Sequence, residues 1–155
     1  MKYQSTNTEM FLKAREYVDT VIIPLNPITY GESFVQAVSS ADFLAVLTFE
    51  LEKELKGRLL LAPAIPYMKE DSLESKTDLI KKWMKYYHSQ GFVHIYFITT
   101  DITLNSLQLP EVIWLPAIPI EKMPADAARP VIEDQTRQLI DMLTQRWQQP
   151  VETKE

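Results

Sequence analysis

The sequence contains no cysteine, only three glycines and two histidines, and fewer cationic than anionic side chains. Without thiols there are no disulfides, thiolate zinc centres or cysteine nucleophiles, which suits a reducing compartment, so cytoplasmic location is expected. Three glycines cannot furnish a phosphate-cradling loop, and Walker-type and Rossmann nucleotide sites are excluded. The longest apolar stretch, Phe43 to Phe49, falls far below the roughly 20 residues of a membrane span. The polar start, Met1 to Asn7, lacks the apolar region of a signal peptide, so membrane insertion is not expected. A net charge of −5 and a pI near 5.1 disfavour nucleic acid, whose binding depends on neutralising phosphates. No Gly-x-Ser-x-Gly elbow is present for a serine nucleophile.

What is present is a repeated grammar. Val21-Ile22-Ile23-Pro24-Leu25-Asn26-Pro27, Leu59 to Pro66 and Val112 to Pro119 each read as an apolar run followed by Pro-x-x-Pro. Short all-apolar runs are the signature of strands buried on both faces, and proline ends a strand because it cannot donate to the ladder. With Phe92–Thr99 as a further strand, the pattern predicts a three-layer α/β/α domain with a mainly parallel sheet of about four strands. The strands are expected near 20–25, 59–63, 92–99 and 112–115. A single domain over 1–147 is expected, with 148–155 as a frayed tail.

Between the strands, Thr6-Asn7-Thr8-Glu9 predicts a capping box opening a helix over 7–18. A helical region over 32–56 follows, with an interruption at Ser39-Ser40. Leu79, Ile80, Trp83, Met84 and Tyr87 make the buried stripe of a third helix, opposite Lys81, Lys82 and Lys85. Lys76 joins these lysines in a basic face. Pro130 is placed in the first turn of a last helix. Gly57 and Gly91 each follow an amphipathic segment, as glycines closing helices do.

Parallel sheets place their ligand crevice at the carboxyl ends of the strands. Asn26, Tyr30, Tyr67 and Asp101 fall there, and Asp42 lies at the head of the helix that follows. These five are the candidate ligand-binding residues. Asp42 and Asp101 also suit hard cations or helix and turn capping. His94 belongs inside a strand and His88 in the last turn of a helix, where the dipole favours it. Neither histidine reads as catalytic.

The order of these pieces resembles the creatininase family of metal-dependent amidohydrolases. Pro24 to Gly31 stands where that family has Pro-x-Gly-Ser-x-Glu-x-His-Gly, with Tyr30 at the place of the ligand histidine. Asp42 stands for the family's aspartate ligand. Leu61 to Tyr67 resembles the family's Pro-x-x-P-Tyr-Gly turn, and His88 to Phe92 its His-Gly-Phe. The second ligand histidine falls near Asp101, and the family's late glutamate has no counterpart. The resemblance implies the family's fold with the metal centre lost. A closer likeness, carried by Phe11 to Thr20 and the strand-Pro-Leu start, is to a small family of Bacillus-type bacteria, the YpiF-like proteins, from which no activity follows. The function expected is non-catalytic binding of a small ligand or a protein partner, without a cofactor. The alternatives are a divergent metal-dependent amidohydrolase using Asp42 and Asp101, and the structural subunit of a homo-oligomer.

Overall fold

The computed structural model describes residues 1–149; the tail expected over 148–155 lies, from position 150 onward, outside the described residues. Among the described residues five strands form one sheet: β1 (Thr20–Ile28), β2 (Leu59–Leu61), β3 (Ile65–Met68), β4 (His94–Thr99) and β5 (Val112–Trp114). The order is β2-β1-β4-β5, with β3 continuing alongside β1 beyond β2, and every pairing is parallel. The same residues form four α-helices that accompany it: α1 (Thr8–Lys13), α2 (Phe34–Glu54), α3 (Leu73–Ser89) and α4 (Ala125–Trp147).

Because side chains alternate across a strand, β1 feeds two cores. Val21, Ile23 and Leu25 join Leu60, Ile95 and Phe97 under α1 and α3. Ile22 joins Leu59, Tyr96, Ile98 and Ile113 under α2 and α4. This is the three-layer α/β/α arrangement, and the strand centres Ile22, Leu60, Phe97 and Ile113 are all buried.

Strand β1 runs through Pro24 and Pro27 to Ile28, beyond its expected end near residue 25. The ladder explains why. Ile22 and Ile28 offer their carbonyls to Ala62 and Lys69 on the β2/β3 side, so Pro24, of the same parity, turns its missing donor toward the gap between β2 and β3. Pro27 turns its own toward the β4 side, where pairing already ends at Leu25–Thr99. Each proline sits where no partner needs a donor. The expected turn after β2 likewise re-enters the sheet as β3, in register with Leu25 to Ile28.

Three helix boundaries also differ. Helix α1 ends at Lys13, and the Thr6–Glu9 capping box does not form: Thr6 lies in a 3-10 turn (Ser5–Asn7) and its hydroxyl accepts from the Asn7 side chain at 3.2 Å, while Asn7 Oδ1 accepts from the Lys2 backbone at 2.9 Å. Helix α2 runs unbroken through Ser39-Ser40, with Ser39 bonded to Glu121 at 2.6 Å. Helix α4 begins at Ala125, which leaves Pro130 inside it, one turn later than expected, and removes only the bond to the Asp126 carbonyl. Gly91 does close α3 with a φ of 92°, whereas Gly57 keeps an ordinary negative φ. Helix α2 is apolar nearly all round: Phe43, Leu44, Leu47 and Leu51 are buried while Val35, Val38 and Val46 face outward.

Candidate functional site

At the carboxyl edge of the sheet two of the five candidates meet. Asp101 follows β4, and its Oδ2 accepts from the Tyr67 hydroxyl at 2.7 Å and from Lys76 Nζ at 3.0 Å. Its Oδ1 accepts from the Thr103 backbone at 3.1 Å and from the Thr103 hydroxyl at 2.7 Å. Asp101, Tyr67 and Lys76 are all buried. Burial raises the Asp101 carboxyl, but the bonds from Thr103, Tyr67 and Lys76 outweigh it and hold the group below its ordinary value. Burial and the facing carboxylate push the Tyr67 phenol far up, so it stays a neutral donor. Lys76 therefore does not belong to the solvated basic face the helical pattern suggested. It is drawn inward as the partner of Asp101, and the cluster ties the start of α3 to the end of β4.

The other three candidates lie apart from this cluster. Asn26 is half-buried and lines a small hollow of about 190 Å³ with Pro24, Leu44 and Thr48. Tyr30 is 86% exposed and stacks on Phe34 with ring centroids 5.4 Å apart. It projects into solvent and does not converge with Asp101. Asp42 is exposed in the third turn of α2 and caps no helix end. Among the described residues no group of three or more His, Asp or Glu side chains is placed to hold a metal ion.

A larger concavity lies elsewhere. The segment before α1 crosses the edge of β2, with Leu61 bonded to Met1 and Tyr3 through the backbone. Because β2 is three residues long and α1 stops early, a trench of about 820 Å³ remains between this segment and α3, over Leu60 and Pro63. Its aromatic wall is continuous. Trp83 meets Tyr86 and Tyr87 at 5.9 Å, Tyr87 meets Phe92 at 5.7 Å, and Phe92 stacks on Phe11 at 6.5 Å. Tyr3 faces this wall and is 76% exposed.

Three cations, Lys2, Arg15 and Lys82, line the trench, and among the described residues no carboxylate does. Lys2 is engaged by Glu52 at 3.3 Å. Among the described residues Arg15 bonds only to the carbonyls of Val18 and Gln90, while its guanidinium lies 4.5 Å over the Phe92 ring. Burial, with Tyr86 and Tyr3 nearby, raises the Tyr87 phenol and keeps it protonated.

The helical pattern places Trp83 and Tyr87 in the core and gives no role to Tyr3, Arg15 or Tyr86. The available signal is local: Trp83, Tyr86 and Tyr87 fall within five residues beside Lys82, more ring surface than one buried stripe needs. What the pattern cannot supply is the early end of α1, which leaves those rings half-covered.

The curated protein "Uncharacterized protein YpiF" of Bacillus subtilis (strain 168) is 28% identical over 150 residues, 95% of this chain and 98% of that protein. No solved structure matches. The family described as "Protein of unknown function (DUF2487)" matches residues 9–147, from α1 to the end of α4, and the chain belongs to that family.

Proposed function

We propose that this protein is a non-catalytic binding domain, of creatininase-like descent, whose ligand occupies the trench between the N-terminal segment and α3. The observation that carries this reading is the trench itself. Its volume of about 820 Å³ is that of a small-molecule site, and such sites combine apolar and aromatic walls with a few polar groups. Creatininase-like descent is supported by the all-parallel sheet within a three-layer fold. The amidohydrolase alternative is weakened by Asp101, whose two oxygens are already used by Thr103, Tyr67 and Lys76.

A thermal-shift screen of small molecules against the wild-type protein and a Ser5→Trp variant tests this. Ser5 is exposed and lines the trench, so an indole there occludes it without replacing a core side chain. Compounds that raise the wild-type Tm and not that of the variant are the expected result. Compounds that stabilise both equally contradict it.

A second reading, self-association, is favoured by the apolar rim at the strand carboxyl ends. Ile28, Tyr30, Phe34, Val35, Val38 and Met68 are all exposed there, a cluster of the kind that marks interaction surfaces. Sedimentation equilibrium of wild type against Val35→Glu decides it: a dimer that dissociates on substitution supports it, and a wild-type monomer rejects it.

A further inference from the structure

Granted that the trench is the binding site, we propose that its ligand is an aromatic carboxylic acid, its ring body held among Trp83, Tyr86, Tyr87 and Phe92 and its carboxylate met by Lys82. The ring geometry argues for a flat body. Trp83 and Tyr86 meet at 89°, Tyr86 and Tyr87 at 69°, and Tyr87 and Phe92 at 76°. Both ring edges and ring faces are therefore presented, and aromatic groups pack against such surfaces in offset or edge-to-face fashion.

Aromatic walls alone also suit cations, since ring faces attract them. Here that role is already filled. Arg15 lies over the Phe92 and Phe11 rings at 4.5 and 5.3 Å. Its hydrogen bonds go to neutral carbonyls, so its charge is not offset by those contacts. Lys82 stands exposed on the same trench. A cationic ligand would be repelled by both, and an anionic one attracted.

The charge pattern is local and opposes the whole. The chain carries 21 acidic against 16 basic side chains, yet among the described residues the trench wall holds Arg15 and Lys82, besides the Glu52-paired Lys2, and no carboxylate. Such a reversal concentrates anions at one place on a surface that elsewhere repels them.

Isothermal titration of the full chain with three ligands of one shape tests this: 2-naphthoate, 2-naphthalenemethanol and 2-naphthylmethylammonium. The acid is expected to bind about tenfold more tightly than the alcohol, the value of one charge-assisted hydrogen bond, and the amine least. Lys82→Glu should abolish the preference for the acid. Lys81→Glu changes the net charge equally, lies outside the trench wall and should keep it. An alcohol or amine that binds as tightly as the acid, or equal effects of the two lysine variants, overturns the assignment of an acid and leaves the trench as a site. No binding by any of the three also overturns it. Binding of the acid that survives Ser5→Trp overturns the trench itself.

Discussion

At Asp101 a single carboxylate satisfies Tyr67, Lys76 and Thr103 in a buried setting. Asp101→Asn would leave the Lys76 ammonium, 4% exposed, without its counter-charge, a change that costs about 3–5 kcal/mol when a buried pair is broken. Combining it with Lys76→Met should cost less than the sum of the single variants, because the orphaned charge is then removed. Urea unfolding of the four proteins measures this. Tyr30→Ala, by contrast, should leave the midpoint within the scatter of surface substitutions. The same carboxylate sets an acid limit. Asp101 and Glu52 are both held below their ordinary values in the folded protein. The stability they contribute is present above the unfolded-state value near pH 4 and is lost as pH falls through the lower folded values. Thermal melts between pH 6 and pH 3 should therefore show Tm falling steeply below about pH 4, and the slope should flatten in the Asp101→Asn, Lys76→Met protein. A turn aspartate was legible at this position in the sequence. That it would also take the lysine one expects on a solvated face was not, because the pairing joins Lys76 and Asp101 across the whole of α3 and β4.

Strands and helices were more readable than the residues that join them. Four apolar runs mark four strands because burial on both faces removes the need for alternation. Strand β3 was hidden by its composition, since Ile65-Pro66-Tyr67-Met68 reads as a turn until β1 is known to extend beside it. The rule that proline ends a strand failed at Pro24 for the same reason: donor loss matters only where a partner carbonyl is waiting. The element that matters most to this sheet is β1, flanked on both sides, and Ile22 at its centre is fully buried between β2 and β4. Ile22→Ala should cost about 2–5 kcal/mol through the cavity it leaves, read as a fall in the denaturation midpoint with an unchanged m-value. Helix ends were least legible. Helix α1 stops at Lys13, and the chain turns through residues 14–17 before Val18 enters the core, an end that the periodicity of residues 7–18 does not contain.

For the molecule as a whole, the layered fold could be read from the sequence and the trench could not. General rules for parallel sheets point to the strand carboxyl ends, and there Tyr67 and Asp101 are closed over by Lys76. The open concavity lies instead on the α1/α3 layer, made by a short β2, an early helix end and an N-terminal segment crossing the sheet edge. Three tryptophans report on it. Trp83 lines the trench, Trp114 belongs to β5, and Trp147 donates its indole N–H to Thr20 at 2.9 Å. Titration of 15N-labelled protein with 2-naphthoate, followed through the three indole N–H resonances, is the most direct test of the trench. A saturable shift of the Trp83 signal is expected while those of Trp114 and Trp147 stay in place. A Trp83 signal that does not move while backbone amides of Ile28 to Tyr30 shift would contradict it and return the binding site to the carboxyl edge of the sheet.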